Sequence, residues 1–311
     1  MHQIKGYEQK KCFYCGSPII KKNGHKNGYQ MYKCHVCGKQ FRGGNRINYD
    51  LFWQEYLYNK QTYEEISSRY CVSASTVKRK IATIIEEWHP VIPQKVGFLL
   101  IDTTYFGRNW GVLVAMDAET GIILYRKYVQ HERIKDYVVC VHYIVSQGFI
   151  VKGMVVDGMR GLFKVFSQYQ VQMCQYHQCA ILRRYLTQNP RLEAGKELLI
   201  LTKTLATSTE LEFTTQFKAW ETKWNDFLNE RSKNPVTGKS YYVHRKLRSA
   251  RRSIKSNMPY LFVYQKDENN GLPNTNNKLE GKFTDLKKNL NNHSGMSKEN
   301  RKRFIDGFFK V

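Results

Sequence analysis

Between residues 98 and 177 the apolar positions change period several times. FLLIDTTYF (98–106), WGVLVAMD (110–117) and GIILYRKYV (121–129) are aliphatic, β-branched and aromatic runs, which predicts three consecutive strands. Asp-Ala-Glu-Thr-Gly (117–121) supplies a turn between the last two, and such short connections predict an antiparallel meander. Over 132–147 the spacing becomes helical, with Ile134, Tyr137, Val138, Val141, Ile144 and Val145 on one side and Gly148 as the stop. A buried strand IVKGMVVD (150–157), a short helix over 159–169, a strand VQMC (171–174) and a helix from His177 follow. The order β-β-β-α-β-α-β-α predicts an α/β fold whose mixed sheet has antiparallel first strands.

Residues 178–265 lack β-branched runs and read as an all-helical insertion, with polar breaks at TQNP (187–190) and SKNPVTGKS (232–240). An Asn-rich loop, ENNGLPNTNN (268–277), leads into a helix KLEGKFTDLKKNL (278–290). Ahead of the sheet, 12–41 reads as a metal-stapled ribbon and 61–88 as a helical hairpin, and the proline-containing segment HPVIPQKVG (89–97) marks a boundary. The expected division is 1–46, 47–95, 96–177, 178–270 and 271–311.

Composition narrows the class of function. The chain has 311 residues, 41% of them hydrophobic, enough for sizeable cores and too many for a disordered tail. Fifty Lys and Arg against 26 acidic residues give a net charge of +24. The surplus is uneven: residues 1–95 carry 16 Lys/Arg against 7 Asp/Glu, residues 231–311 carry 19 against 6, and residues 96–230 hold 15 against 13. Two basic arms flanking a nearly neutral centre suit a polyanionic partner, nucleic acid first, gripped around a site that contains carboxylates. No run approaches 18 apolar residues and MHQIKGYEQKKC lacks a signal-peptide core, so a membrane-spanning or secreted chain is not expected. A cytoplasmic, nucleoid-associated protein is. With FFKV at its last four positions, no further C-terminal domain is expected.

Four of the eight cysteines lie in residues 12–37. Cys12-x2-Cys15, eighteen residues, then Cys34-x2-Cys37 is the spacing of a four-thiolate zinc site, and four thiolates leave no position for water, so one structural Zn²⁺ is expected. Lys21, Lys22, Lys26, Lys33, Lys39 and Arg42, interleaved with Tyr29, Tyr32 and Phe41, make this ribbon a nucleic-acid surface as readily as a plain structural module. In the hairpin, Ile66, then Cys71-Val72, then Val77, Ile81 and Ile84 have helix-turn-helix spacing. With Ser73 or Ser75 as the cap, Ser75, Thr76, Lys78, Arg79 and Lys80 project from the second helix toward a DNA groove. The run HRKLRSARRSIK (244–255), with Arg248, Arg251 and Arg252, fits a helix that grips phosphates. Trp220 and Trp224 share a helical face, which fits core packing or base stacking.

Two aspartates stand in strand-like contexts that penalise them. Asp102 lies within LLIDTTYFG and Asp157 ends GMVVD, and an acid at the edge of an apolar strand needs compensation, which a bound cation supplies. Asp117 opens the DAETG turn and reads as structural. Glu280 is the best third acid: on its helix Glu280, Thr284 and Lys287 share a face, offering a metal ligand and a cation to one phosphate-bearing strand.

Ile-Asp102-Thr-Thr-Tyr, Val-Val-Asp157-Gly, Cys174-Gln-Tyr-His177 and Asn276-Asn277-Lys-Leu-Glu280-Gly together resemble a Mutator-like DDE transposase of a bacterial insertion sequence, over about residues 98–290. The resemblance implies a ribonuclease-H-like mixed sheet of integrase type, interrupted by a helical insertion ahead of the last acid. It further implies that Asp102, Asp157 and Glu280 bind two Mg²⁺, for which Mn²⁺ substitutes. Its function would be recognition of terminal inverted repeats in double-stranded DNA, then metal-dependent cleavage and strand transfer by a homodimer or larger assembly on DNA. The Cys-x2-His pair recurs in that family; with no second pair in sequence reach, Cys174 and His177 read as structural or substrate-positioning. The N-terminal ribbon belongs only to some insertion-sequence branches. Two other classes fit the same modules, a sequence-specific regulator and a nuclease or resolvase of the same fold.

Overall fold

Asn27-Gly28 sets the first hairpin: both residues have positive φ (50° and 75°), as in the two-residue turn whose twist matches paired strands. It joins β1 (Ile20–Lys26) to β2 (Tyr29–Cys34), and β3 (Gln40–Arg42) pairs with the other side of β2, all antiparallel. The computed structural model describes residues 11–310 apart from 13, 43–48, 85–89, 91, 94 and 294. The 46/47 boundary, the end of the 61–88 hairpin and part of the 89–97 linker therefore lie outside the described residues.

Three helices follow the ribbon: α1 (Asp50–Leu57), α2 (Tyr63–Tyr70) and α3 (Ala74–Thr83). Thr62 and Glu65 form a reciprocal capping box at the start of α2, and Cys71, with φ 52°, ends it in a left-handed turn. Ser73, not Ser75, caps α3 by accepting from the Thr76 N–H. Ile66, Val77 and Ile81 are buried as their spacing predicted, but the sequence reading lacked α1, which covers them with Phe52, Trp53, Tyr56 and Leu57. Ribbon and helices form one compact unit, Met1–Ile84, and the rest of the chain, Ile85–Val311, forms another.

The second unit is a mixed α/β structure around β4 (Val96–Tyr105), β5 (Gly111–Asp117), β6 (Ile123–Val129), α4 (Ile134–Ser146), β7 (Ile150–Val156), α5 (Leu162–Val165) and β8 (Gln170–Met173). Its five strands lie in the order β6-β5-β4-β7-β8. The first three pair antiparallel, while β7 pairs parallel with β4 and β8 parallel with β7, because α4 carries the chain back across the sheet. The predicted meander and mixed sheet are both present. One face packs against α4 through Leu99, Ile101, Leu113, Tyr137, Val141, Ile144 and Val156.

Beyond β8 come α6 (Gln175–Leu186), α7 (Glu193–Lys203), α8 (Glu210–Lys223), α9 (Asn225–Asn229) and α10 (Arg245–Leu261), sharing a second core of Leu182, Leu198, Phe213, Phe217, Trp220, Leu247 and Ile254. The insertion is expected to be all helical, but its polar break at 232–240 carries a short hairpin of β9 (Arg231–Lys233) and β10 (Ser240–Tyr242). α10 is tied to the sheet where Gln172 and Gln175 donate to the Leu261 carbonyl, each at 2.9 Å. α11 (Asn277–Asn291) and α12 (Lys298–Phe308), the latter not foreseen, complete the chain. Among the described residues no helix is long and apolar enough to cross a membrane.

The β7–β8 edge depends on a missing side chain: a Cβ on Gly153 would stand 2.5 Å from the Gln170 carbonyl oxygen of β8. Gly153→Ala is expected to lower stability by about 1–3 kcal/mol, seen as a lower urea midpoint. An unchanged midpoint would contradict this strand pairing.

Candidate functional site

The parallel ladder between β4 and β7 ends at Leu100 opposite Val155, and each aspartate comes two residues later, Asp102 within β4 and Asp157 just past the end of β7. Asp102 and Asp157 thus arrive together at one end of the sheet, where β7 stops. Leu99 and Ile101 point into the α4 core, so the alternation of β4 turns Asp102 to the other face, the side that α11 approaches. Asp102 is only 6% exposed and accepts from the Thr103 N–H at 2.8 Å. Asp157 accepts from the Met159 N–H at 3.1 Å.

A clamp at the start of α11 brings in the third acid. Asn276 is buried; its side-chain amide donates to the Ile101 carbonyl of β4 at 3.2 Å and its backbone N–H to the Cys174 sulfur at 3.3 Å. Beside it Asn274 accepts from the Gln175 N–H through its carbonyl and donates to Gln175 Oε1, both at 3.0 Å. Lys278 Nζ caps the carbonyls of Ala118 and Glu119 in the turn after β5. Glu280, in the first turn of α11, is thereby held beside β4 and the start of α6.

The acids act on one another. Burial pushes Asp102 well above the usual carboxylate range, against the Thr103 N–H, and the charges of Asp157, Glu280 and Glu132 push it further. Asp157 is raised by burial, partly offset by the Met159 N–H and His177. Glu132 is a fourth acid that the sequence reading missed. It is raised by burial and then by Asp157, and it is held by the Tyr137 hydroxyl at 2.8 Å while its backbone N–H donates to Tyr105. Its signal in the sequence is slight, since the polar stretch HER before a helix has many uses.

Asp117 stands apart, as expected: it is fully buried at the DAETG turn, accepts from Glu119 and Thr120 and pairs with Lys95 at 2.8 Å. Burial opposes its charge, yet Lys95 and Thr120 keep it below the usual range.

Cys174 and His177 meet Glu280. One ligand atom from each lies within 4.8 Å of the others, and His177 Nε2 is 3.6 Å from Glu280 Oε1. Burial pushes the Cys174 thiol up to about 11, against several backbone N–H donors. Asp102, Asp157 and Glu280 are spaced more widely than this, since their oxygens do not form such a group. Asp157 and Glu280 both raise Asp102, and Glu280 Oε1 is buried without a hydrogen-bond partner.

The four N-terminal cysteines form the other such group. Cys12 and Cys37 sulfurs are 3.5 Å apart and Cys15 and Cys34 sulfurs 3.6 Å, close to the roughly 3.7 Å edge of a tetrahedral zinc–thiolate site. Gly16 and Gly38 follow each pair in the left-handed region, and the Cys37 N–H helps bring the Cys34 thiol down to about 6. This cluster fits one zinc ion.

The basic residues divide. Ser75, Lys78 and Arg79 are exposed on α3, whereas Thr76 lies against Ser73 and Lys80 sits 4.3 Å over the Tyr49 ring. On α10, Arg248 donates to the Leu228 carbonyl and Asn229, and Arg251 pairs with Glu221, so both have structural partners. They nevertheless line a pocket of about 180 Å³ with Arg252 and Lys255. Lys287 is exposed on α11. Trp220 is buried with its indole N–H on the Ala194 carbonyl, and Trp224 donates to Glu197, so both serve the helical core.

No family model matches the chain, and no curated protein matches it. Among solved structures it is similar to a chain of the cryo-EM structure of simian T-cell lymphotropic virus intasome in complex with PP2A regulatory subunit B56 gamma. The identity is 10%, the match spans 45% of this chain and 63% of that one, and the TM-score is 0.21. A likeness of that size does not assign a fold.

A carboxylate whose folded pKa is raised favours folding at low pH and loses that advantage as pH climbs through the folded value. In metal-free buffer, Asp102→Asn and wild type should therefore be nearly equal in stability at about pH 4, with the variant gaining by up to about 1.4 kcal/mol per pH unit above it. Denaturant titrations across pH check this; a flat difference would mean that Asp102 is not buried against like charge.

Proposed function

We propose that the chain is a DNA transposase of the DDE kind, acting in the cytoplasm on nucleoid DNA. What supports this reading is that β4 and β7 bring Asp102 and Asp157 to one end of the sheet and that the charges of Asp157 and Glu280 raise Asp102. The strand order β6-β5-β4-β7-β8, three antiparallel strands and then two parallel ones, supports a ribonuclease-H-like core. The helical stretch before α11 supports the expected insertion ahead of the last acid. The Mutator-like assignment rests on the sequence motifs alone.

Asp102, Asp157 and Glu280 would hold two Mg²⁺, or Mn²⁺ in their place. Bound there, the metals supply a lowered pKa for the attacking water or 3′-hydroxyl and charge stabilisation for the leaving oxygen. The protein's own part is placement: the Asn276 clamp fixes Glu280 against β4, and the β4–β7 ladder fixes the two aspartates. The carboxylates hold cations and do not attack, so no covalent protein–DNA intermediate forms. Water releases the element's 3′ end, and that end then attacks target DNA. The four-cysteine ribbon with its structural zinc and exposed Ser75, Lys78 and Arg79 of α3 would read the terminal repeats. Lys287 and the α10 cations would hold phosphates. Cutting two ends together calls for a homodimer or larger assembly on DNA.

Asp157→Asn tests the reading on DNA carrying the ends of the element that encodes the chain. Magnesium-dependent cleavage should fall by about a hundredfold or more, while end binding by mobility shift stays within a few-fold of wild type. If the variant still cuts, the metal ligands are misassigned. A wild type that binds ends without cutting them is a regulator, and one that cuts but never joins is a nuclease or resolvase.

A further inference from the structure

The Cys-x2-His pair has more at hand than its sequence spacing suggests. Cys174 is the N-cap of α6 and His177 lies in its first turn, so sulfur and imidazole emerge at the same helix start. Glu280 stands in the first turn of α11, and the two helix starts are bound together through Asn276 to the Cys174 sulfur and Gln175 to Asn274. A soft sulfur, an imidazole and a carboxylate thereby share one small space, with ligand atoms within 4.8 Å.

Distances decide between a hydrogen-bonded cluster and a ligand set. His177 Nε2 and Glu280 Oε1 are 3.6 Å apart, too far for a hydrogen bond, and Glu280 Oε1 and His177 Nδ1 are both buried without partners. Zinc bonds of about 2.3 Å to sulfur and 2.0–2.2 Å to nitrogen and oxygen put neighbouring ligands roughly 3.3–3.7 Å apart on a tetrahedral ion. For a nitrogen and an oxygen ligand that edge is about 3.3–3.6 Å, and the His177–Glu280 gap stands at its upper end. Thiolate and imidazole select a transition metal over Mg²⁺, and three protein donors leave one coordination position open.

We propose that Cys174, His177 and Glu280 form a second transition-metal site that takes Zn²⁺, and that zinc bound there withdraws Glu280 from the Asp102–Asp157 pair. The first half stands on the ligand geometry alone; the second rests on the proposed function, because it presumes that Glu280 serves hard cations with the aspartates. The site would make the chain subject to reversible inhibition by zinc.

The test counts metal on the full-length chain. After equilibration with Zn²⁺ and removal of loose metal, elemental analysis should give two zinc ions per wild-type chain and one per chain in both Cys174→Ala and His177→Ala. His177 is partly exposed, so its variant folds even if loss of the buried Cys174 is disruptive. Cobalt substitution should keep the four-thiolate charge-transfer bands in His177→Ala and lose a weaker component. One zinc per wild-type chain, or two in His177→Ala, overturns the site. Asp102→Asn should retain two, which separates this result from any failure of the transposase reading. For the sharing of Glu280, Mn²⁺ binding followed by electron paramagnetic resonance should weaken at least tenfold once the second zinc is loaded. Equal Mn²⁺ affinity with and without it overturns the sharing.

Discussion

Like charges at the buried end of two parallel strands are the constraint around which this molecule is arranged. The β4–β7 ladder leaves no freedom to separate Asp102 from Asp157, because both follow its last matched pair by two residues. Burial and repulsion hold Asp102 toward its protonated form, and Glu132 and Glu280 add to the same field. A fold that only needed stability would gain by replacing such groups with apolar ones. Their joint presence makes sense where a cation completes the site.

The surrounding structure can be followed outward from that point. α4 closes one face of the sheet and makes β7 parallel to β4, which brings the aspartates level. On the opposite face, Asn276 ties the start of α11 to the backbone of β4 and to Cys174, so the last acid is positioned by hydrogen bonds that span the length of the second unit. The helical segment has its own core and is anchored through the Leu261 carbonyl to Gln172 of β8 and to Gln175 at the start of α6, so it packs beside the sheet without interrupting its pairing. Its cations are partly spent on internal partners, Arg248 on the end of α9 and Arg251 and Lys255 on Glu221, which leaves Arg252 as the freer contact of the pocket.

Much of the frame was legible because its signals are local. The apolar runs of β4 to β7 are long and bounded by turn residues, and the two CxxC pairs announce their own chemistry. The missed elements have weaker local signals. α1 is only eight residues, two turns in which Phe52, Trp53, Tyr56 and Leu57 make one short buried face, and the β9–β10 hairpin has three-residue strands in a polar break. Asn27-Gly28 was a hairpin signal in plain view, overlooked because the cysteines dominated that segment. What no local pattern carries is the company a residue keeps. Glu132 joins the acids through β6 and α4, and Cys174 with His177 meets Glu280 only after α11 returns to the sheet. A search for a second Cys or His pair nearby in sequence could not find a carboxylate about a hundred residues away.

The claim that the three acids exist to hold metal is tested most directly by crystals of the full chain soaked in Mn²⁺, with anomalous scattering recorded at the manganese edge. The account predicts manganese peaks among Asp102, Asp157 and Glu280. Well-ordered crystals at saturating Mn²⁺ with no peak among these carboxylates would contradict it.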